Sequence, residues 1–218
     1  MGVLLYFLIS HVQFWMTAVI AYLCGCFNGA VIVSKYILRD DVRNHGSGNA
    51  GLTNFFRSYG SWSTLLVLLI DMGKTALACL VGGLLLEPYG YGAEGAAVGA
   101  LSVSVGHDFP ALLGFRGGKG IVCGFAAAIV LDWRIALAIL VVFVITFAIT
   151  RYVSLGSVLA TVAFAVGFAV LHYHEPVVMA SGIVMAALAL FMHRSNIVRL
   201  IKGEESKVHL IHRDLNKG

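Results

Sequence analysis

Residues 106–120 read GHDFPALLGFRGGKG and separate two strongly apolar segments of the chain. Three glycines surround Lys119 in this stretch, the lysine loop. Glycine readily adopts positive φ angles, which let successive backbone N–H groups converge on an anion, and the lysine adds a full positive charge. The stretch therefore predicts a phosphate-binding loop at a membrane surface. It is not a nucleotide-binding P-loop, because no Ser or Thr follows Lys119. The alternative is a flexible loop whose lysine extends to the membrane surface.

The composition of the chain is that of an integral membrane protein. Of its 218 residues, 59% are apolar and 12% are charged, and the mean hydropathy is +0.89. A soluble domain has roughly 25% charged residues. The net charge of +4 does not predict a nucleic-acid partner, because in membrane proteins the position of the charges matters more than their sum. The four cysteines show no metal-binding spacing and are interpreted as small apolar residues, so no metal or cofactor is predicted.

Seven apolar segments predict an all-α, polytopic bundle of about seven transmembrane helices. A spanning helix needs about 20 apolar residues, or fewer in a protein-lined region. We expect the helices at residues 10–38, 61–86, 93–107, 120–131, 135–150, 154–172 and 176–193. No domain boundary or internal repeat is visible, so we expect a single domain over residues 1–218, with a polar tail over residues 194–218.

The lysine and arginine residues predict the orientation of this bundle. With seven crossings, the two termini lie on opposite sides of the membrane. All 15 Lys and Arg residues except Lys74 and Arg134 fall on the side that carries residues 39–60, the lysine loop and the tail. By the positive-inside rule this side is cytoplasmic. We therefore expect the N-terminus outside and the C-terminus in the cytoplasm.

A second polar cluster, residues 46–57, lies on the same side as the lysine loop and reads GSGNAGLTNFFR. Its glycines and small polar residues offer hydrogen-bond donors, and Arg57 offers a planar guanidinium group that fits phosphate or carboxylate. The alternative is an ordinary polar loop in which Ser, Thr and Asn cap helices. We favour an anion site, with the candidate residues Ser47, Asn49, Thr53, Asn54 and Arg57.

A third polar cluster, residues 193–205, begins where the last predicted span ends. On a helix, His193 and Asn196 would be one turn apart on the same face. A histidine and an amide in this arrangement can orient a proton and stabilise an oxyanion. The alternative is a basic helix at the membrane surface. The positive-inside rule explains Arg194 and Arg199 in that way, but it explains His193 and Asn196 less well.

Two smaller groups lie near these clusters. Ser154 and Ser157 are one helical turn apart at the start of a span, where they either contact a substrate or pack against a neighbouring helix. Asp71 and Lys74 lie inside the second span at a spacing that lets them pair. Because charges within a membrane are costly, we interpret Asp71 and Lys74 as a structural pair at the border of the site.

In their order and position, these clusters resemble the PlsY family, which comprises bacterial integral-membrane acyl-phosphate:glycerol-3-phosphate acyltransferases. The resemblance covers about residues 20–205, and the Asp71–Lys74 pair also fits it. Its motifs are residues 47–49, 53–54, 57, 106–107, 109–110, 117–120, 193, 196–197, 199–200 and 203–204. Residues 25–29 depart from a Gly-Ser-Ile-Pro sequence that is frequent in the family. Residues 122–123 replace a usual Ala-Thr, so Cys123 lacks the hydroxyl of that threonine.

The resemblance implies transfer of a fatty acyl group from acyl phosphate to the 1-hydroxyl of glycerol 3-phosphate, which yields lysophosphatidic acid and phosphate. It implies an enzyme without a cofactor, at the cytoplasmic face of a bacterial inner membrane. The implied partners are glycerol 3-phosphate, a long-chain acyl phosphate, membrane lipid and the enzyme that produces the acyl phosphate.

The resemblance also implies roles for the candidate residues. The catalytic residues would be Ser47, Arg57, Lys119, His193 and Asn196. The substrate-binding residues would be Asn49, Thr53, Asn54, Lys74, His107, Gly117, Gly118, Gly120, Ser154, Ser157 and Glu204. We expect the lysine-loop backbone and Arg57 to help hold the two phosphates, while His193 and Asn196 orient the attacking hydroxyl or stabilise the oxyanion. The proton would pass to His193 or to the substrate phosphate, and the acyl chain would lie between helices.

Two other functions stay open on the sequence alone. A transporter or channel for a small phosphorylated anion fits the intramembrane charges and helix-breaking glycines, but the polar groups gather on one face of the bundle. A structural partner in the membrane leaves the dense donor clusters unexplained. His209 and Asp214 fit the His-x4-Asp pattern of other glycerolipid acyltransferases, but they lie in the polar tail without the other motifs of those enzymes.

Overall fold

The structure is a computed structural model that describes residues 10–208. Within these residues the chain forms helices and loops and no β-strand, which confirms the all-α prediction. The α-helices are α1 (Val12–Cys26), α2 (Gly29–Ile32), α3 (Leu52–Tyr59), α4 (Ser61–Leu86), α5 (Gly92–Asp108), α6 (Ile121–Leu131), α7 (Trp133–Thr150), α8 (Val153–Leu171), α9 (Pro176–Met192) and α10 (Arg194–Ile201). A π-helix (Val33–Ile37) follows α2, and short 3-10 helices occupy Val42–Asn44, Glu87–Tyr89 and Ala111–Leu113.

Several of these helices have the length and composition of membrane spans. Five segments qualify among the described residues: Val12–Ile37, Trp62–Tyr89, Gly92–Leu113, Trp133–Thr150 and Val153–Leu171. Helices α9 and α10 add a sixth crossing if they are taken as one segment, although the chain bends by 56° between them. Helix α6 is apolar but has only 11 residues, about half the length of a usual span. The chain is thus a multi-pass membrane protein.

The first span covers Val12–Ile37, close to the predicted residues 10–38, but it is not one continuous helix. Helix α1 ends at Cys26, and Asn28 caps a new helix. The Asn28 side chain accepts a hydrogen bond from the backbone N–H of Val31 (3.1 Å) and donates one to the carbonyl of Ala50 (2.9 Å). Because Asn28 is fully buried, these bonds satisfy an amide that would otherwise be costly in an apolar environment. They also tie residues 46–57 to the first span.

Helices α1 and α5 are in backbone contact. A Cβ atom on Gly106 would lie 2.1 Å from the carbonyl oxygen of Tyr22, and one on Gly25 would lie 2.3 Å from that of Val103. Both positions therefore require glycine, and small residues are what allow helices to approach closely in a membrane. This contact fixes the end of α5, which carries His107.

The main apolar core lies between helices α4 to α9 and contains many small residues. Alanines on α5, α6 and α9 let the helices approach, and Phe164 and Phe168 on α8 fill the wider space between them. All four cysteines are free thiols, and Cys26, Cys79 and Cys123 are buried. Their burial agrees with the interpretation of the cysteines as small apolar residues.

Candidate active site

A polar cavity of about 500 Å³ lies at the end of the bundle where α5 and α9 end. The predicted site residues that line it are Ser47, Asn49, Thr53, Asn54, Arg57, His107, Lys119, Gly120, Ser154, Ser157, His193 and Asn196. The three polar clusters, which are far apart in the sequence, thus meet in one place. The predicted residues outside its lining are Lys74, Gly117, Gly118 and Glu204.

The lining of the polar cavity carries more positive than negative charge. Arg57, Lys119 and Arg199 contribute cations, whereas Asp71 and Glu205 contribute carboxylates. Asp71 has a lysine partner of its own outside the lining, so within the described lining three cations share the charge of Glu205. Burial lowers the pKa of Lys119, and the charge of Arg199 lowers it further. An excess of positive charge in a concave site attracts an anionic ligand.

A hydrogen-bonded network organises one wall of the polar cavity. The Lys119 ammonium donates to the side-chain oxygen of Asn196. The Asn196 amide donates to Glu205 (Nδ2 to Oε1, 2.9 Å), and Arg199 donates to the other carboxylate oxygen (Nε to Oε2, 2.7 Å). Burial raises the pKa of Glu205, but the hydrogen bonds from Asn196 and Arg199 outweigh burial and hold that pKa below its usual value. The ionised Glu205 therefore orients Asn196 and, through it, Lys119.

Two residues of this wall were not predicted as site residues. Glu204 was predicted instead of its neighbour, but Glu204 is exposed, whereas Glu205 is 9% exposed and lines the cavity. Arg199 was explained by the positive-inside rule and given no role in the site, although it also lines the cavity. The spacing of Arg199 and Asn196, one helical turn, was a signal for a shared face. No such signal separates the two glutamates, because residues 204–208 are not helical.

His193 is placed to accept a proton inside the polar cavity. Its side chain is buried, with 4% exposed, and its Nδ1 lies 2.8 Å from the carbonyl oxygen of Ala189. A carbonyl can only accept a hydrogen bond, so Nδ1 carries the proton, and in the neutral ring Nε2 keeps a lone pair. That nitrogen can accept a hydrogen bond from a hydroxyl group of a ligand.

Asn54 organises the loop that precedes α3. Its amide nitrogen lies within hydrogen-bond distance of three backbone carbonyls, those of Val42 (3.2 Å), His45 (3.0 Å) and Asn49 (3.0 Å). Its oxygen accepts from the backbone N–H of Ser47 (3.0 Å). These contacts use the amide of Asn54, which therefore positions the loop. Ser47 and Asn49 lie at the cavity wall as a result.

The lysine loop does not form the anion site in the way that its glycines predicted. The N–H of Gly118 donates to the carbonyl of His107 (3.0 Å), so it does not point at a ligand. A Cβ atom on Gly118 would lie 2.0 Å from the His107 ring, which shows that glycine is needed there for close packing. The carbonyl of Gly117 accepts from the N–H of Ala50 (3.4 Å). Of residues 117–120, Lys119 and Gly120 line the cavity.

A buried cluster of Asp71, Lys74 and His107 lies at the wall of the polar cavity, and Asp71 and His107 belong to its lining. The Lys74 ammonium is 2.7 Å from Asp71 Oδ1 and 2.9 Å from His107 Nδ1. It also donates to the carbonyl of Phe27 (3.0 Å) in the break between α1 and α2. The backbone N–H of Gly29 donates to Asp71 (3.0 Å). Lys74 therefore joins α4, α5 and the helix break.

An apolar cavity of about 230 Å³ adjoins the polar cavity. It lies among α5, α6, α7, α8 and α9 and is lined mainly by aliphatic and aromatic side chains. The two cavities share the lining residues Leu52, Gly120, Ile121, Val122, Phe143 and Ser157. A ligand with an anionic head and an apolar chain can therefore occupy both cavities at once.

The segment that follows α10 forms part of the wall of the polar cavity. Arg57 donates to the backbone carbonyl of Ser206 (3.3 Å), and the N–H of Val208 donates to the carbonyl of Arg151 (3.0 Å). Together with Glu205, these contacts hold residues 204–208 against α3 and α8. His209 and Asp214, the His-x4-Asp pair of the sequence analysis, lie outside the described residues.

Comparison with known sequences identifies relatives of one kind. The profile of the family described as glycerol-3-phosphate acyltransferase matches residues 15–203. A glycerol-3-phosphate acyltransferase of Thermoanaerobacter pseudethanolicus is 39% identical over 193 residues, which cover 88% of this chain and 94% of the relative. One from Neisseria meningitidis serogroup B is 38% identical over 189 residues, which cover 87% of this chain and 94% of the relative.

Comparison with solved structures gives the same result. The crystal structure of PlsY, described as an integral membrane glycerol 3-phosphate acyltransferase in its glycerol 3-phosphate form, superimposes with a TM-score of 0.81. The match has 30% sequence identity and covers 89% of this chain and 95% of that one. The lysophosphatidic acid form of PlsY superimposes with a TM-score of 0.78.

Proposed function

Because the chain belongs to the glycerol-3-phosphate acyltransferase family, we propose that it transfers a fatty acyl group to the 1-hydroxyl of glycerol 3-phosphate and forms lysophosphatidic acid. Its resemblance to the PlsY family is confirmed. The observation that carries the proposal is the junction of the two cavities. The cationic cavity fits a phosphate ester, and the apolar cavity that adjoins it fits an acyl chain.

The acyl donor in this proposal is a long-chain acyl phosphate. Both substrates then carry phosphate, which suits a polar cavity with the three cations Arg57, Lys119 and Arg199. An acyl phosphate is a mixed anhydride with a good leaving group, so no covalent enzyme intermediate is needed. The glycerol oxygen bonds to the acyl carbon, the bond from that carbon to the phosphate oxygen breaks, and phosphate leaves with the electron pair.

The cavity residues divide into phosphate ligands and groups around the reacting hydroxyl. Ser47, Thr53 and Arg57 on one wall and Lys119 on the other hold the two phosphates. The Ser157 hydroxyl lies where the cavities meet and contacts the acyl phosphate there.

The proton of the attacking hydroxyl passes to the free nitrogen of His193 or to the leaving phosphate. His193 Nε2 is suited to this step because Nδ1 is held by the carbonyl of Ala189. Asn196 and Lys119, which are bonded to each other, stabilise the negative charge that develops on the acyl oxygen.

The proposal includes a position in the membrane. The chain crosses the membrane seven times as one domain, with α6 as a short fourth crossing. Its N-terminus lies outside, and the polar cavity faces the cytoplasm of a bacterial cell, because Lys and Arg residues gather at that end. Glycerol 3-phosphate would enter from the cytoplasm, and the acyl phosphate would come from the enzyme that produces it.

The experiment that tests the proposal uses purified protein in lipid with glycerol 3-phosphate and either palmitoyl phosphate or palmitoyl-CoA. Phosphate release and lysophosphatidic acid formation are followed together. Equal amounts of both products with palmitoyl phosphate, and neither with palmitoyl-CoA, are the expected result. A Lys119→Ala protein serves as the control for spontaneous hydrolysis of the donor.

Two outcomes would overturn parts of the proposal. Lysophosphatidic acid formed only with palmitoyl-CoA would refute the acyl-phosphate donor and leave the acyl acceptor unchanged. No product with either donor would refute the enzyme. In that case, uptake of labelled glycerol 3-phosphate into vesicles would test the alternative of a transporter.

A further inference from the structure

The apolar cavity contains a carboxyl group that the proposed reaction does not use. Asp108, the last residue of α5, lines the apolar cavity and is 1% exposed. Its Oδ1 has no hydrogen-bond partner among the described residues. Buried polar atoms are nearly always hydrogen-bonded, so a buried carboxyl oxygen without a protein partner, in the wall of a cavity, is a position where a polar ligand atom can bind.

The position of Asp108 along the cavity follows from Gly120. A Cβ atom on Gly120 would lie 3.3 Å from both carboxyl oxygens of Asp108. Gly120 also lines both cavities. The carboxyl group therefore lies at the head of the apolar cavity, next to the place where the polar cavity begins. An acyl chain whose phosphate lies in the polar cavity would pass Asp108 with its first carbons.

Other polar side chains lie at the same end of the apolar cavity. Ser104 is one turn before Asp108 on α5, and Ser157 and Thr161 are one turn apart on α8. The Ser104 hydroxyl donates to the carbonyl of Ala100 (2.9 Å), and the Thr161 hydroxyl donates to that of Ser157 (2.8 Å). Both hydroxyl oxygens keep lone pairs that can accept a further hydrogen bond. The head of the cavity is thus a polar band above an apolar body.

An unsubstituted acyl chain has no group that can form hydrogen bonds with this polar band. It would bury Asp108 without a partner, which costs more free energy than leaving the carboxyl hydrated. A hydroxyl group near the carbonyl end of the chain can hydrogen-bond with the carboxyl and with the neighbouring serine or threonine. The remaining carbons would still contact the aliphatic and aromatic side chains deeper in the cavity.

We propose that the apolar cavity selects acyl chains that carry a hydroxyl group on the second or third carbon, and that Asp108 binds this hydroxyl. The inference rests on the proposed function, since it specifies the acyl donor of the same reaction. Asp108 acts here as a specificity-determining residue. The bonds that form and break in the transfer are unchanged.

The test compares three donors with purified protein in lipid: palmitoyl phosphate, 2-hydroxypalmitoyl phosphate and 3-hydroxypalmitoyl phosphate. We expect kcat/KM to be about tenfold higher for one of the hydroxylated donors than for palmitoyl phosphate, the effect of pairing a buried polar group. Turnover of all three donors with equal kcat/KM would overturn the inference and leave the proposed function intact. Turnover of none would overturn the proposed function, and the inference with it.

Variants of Asp108 test whether this residue causes the preference for hydroxylated donors. Asp108→Leu should bring the kcat/KM ratio of hydroxylated to plain donor to about one, while Asp108→Asn, which can still hydrogen-bond, should keep part of the preference. Ser102→Ala, on the same helix but outside both cavities, is the matched control and should keep the wild-type ratio. An unchanged ratio in Asp108→Leu would overturn the assignment. If that variant does not fold, the comparison of donors with the wild-type protein still tests whether the cavity prefers hydroxylated chains.

Discussion

Two groups of charged side chains lie next to each other in this protein, and they differ in whether their charges are matched. In the buried cluster, Lys74 contacts Asp71, His107 and backbone carbonyls, and Asp71 accepts from a backbone N–H as well. In the polar cavity, Glu205 is paired with Arg199, and among the described residues Arg57 and Lys119 have no carboxylate within ion-pair distance. Similar residue types therefore form a matched structural cluster in one place and leave an excess of positive charge in the other.

The largest expected effect removes a partner from the buried cluster. Asp71→Ala leaves the ammonium of Lys74 buried without its counter-charge, which typically costs about 3–5 kcal/mol of stability. Both side chains are nearly inaccessible to solvent, with exposures of 2% and 7%. We expect a large fall in the thermal unfolding temperature in detergent.

The matched control for that change is the double variant Asp71→Ala with Lys74→Ala. Removing both charges should restore part of the unfolding temperature, because the unpaired ammonium is gone. If Asp71→Ala unfolds at the wild-type temperature, the buried cluster is not a structural unit, and the contrast with the polar cavity fails.

The next largest effect concerns the unmatched cations. Arg57→Ala or Lys119→Ala should lower the turnover of acyl phosphate by about 10²–10³-fold, the usual result of losing one well-placed donor to developing charge. The unfolding temperature should stay near the wild-type value, unlike that of Asp71→Ala.

Arg116→Ala is the matched control for the two cation variants, because Arg116 is an exposed cation on the lysine loop outside the cavity lining. It should keep wild-type turnover. Near-normal rates in folded Arg57→Ala and Lys119→Ala proteins would refute the assignment of the polar cavity as the phosphate site.

A smaller effect tests the carboxylate that connects the network. Glu205→Gln removes the charge that holds Arg199 and Asn196, and loss of such charged hydrogen bonds should lower turnover about tenfold. Glu204→Gln is the control, and because Glu204 is exposed it should change turnover by less than about twofold. Equal losses in the two variants would show that the charge of the segment matters and not the contact of Glu205.

The smallest expected effect is a shift of the pH profile. Burial and the nearby Arg199 lower the pKa of Lys119, so its ammonium loses the proton at a lower pH than a free lysine, whose pKa is about 10.4. Turnover that needs this charge should therefore fall on the alkaline side before pH 10.4. Lys119→Arg should move that fall to higher pH, because arginine stays protonated. Profiles of kcat/KM with the same alkaline fall in both proteins would exclude Lys119 as its cause.

Much of this fold and site followed from patterns that are local in the sequence. Apolar segments and their polar interruptions predicted the all-α membrane bundle, and clusters of glycine, small polar and basic residues predicted three parts of one cavity. The break at Asn28 was not predictable in the same way, because it depends on a hydrogen bond to Ala50, 22 residues away.

The differences between the predicted and the observed site also arise from contacts between residues that are far apart in the sequence. Glycine at position 118 is compatible with an anion-binding turn and with close packing, and only the position of the His107 ring decides for packing. The sequence does not distinguish Glu204 from Glu205. Only the path of the segment after α10 places Glu205 in the cavity wall. Sequence patterns thus predicted which clusters form the site, while long-range contacts determine which side chains line it.

The wall formed by residues 204–208 has a consequence for how the protein is made. This segment follows all of the spanning helices in the chain, and yet it supplies Glu205 and the contact of Ser206 with Arg57. During synthesis from the N-terminus, the polar cavity stays incomplete until this segment has left the ribosome. A chain that is still being inserted into the bilayer therefore lacks part of the cavity wall, and the wall is complete only after the last helix is in place.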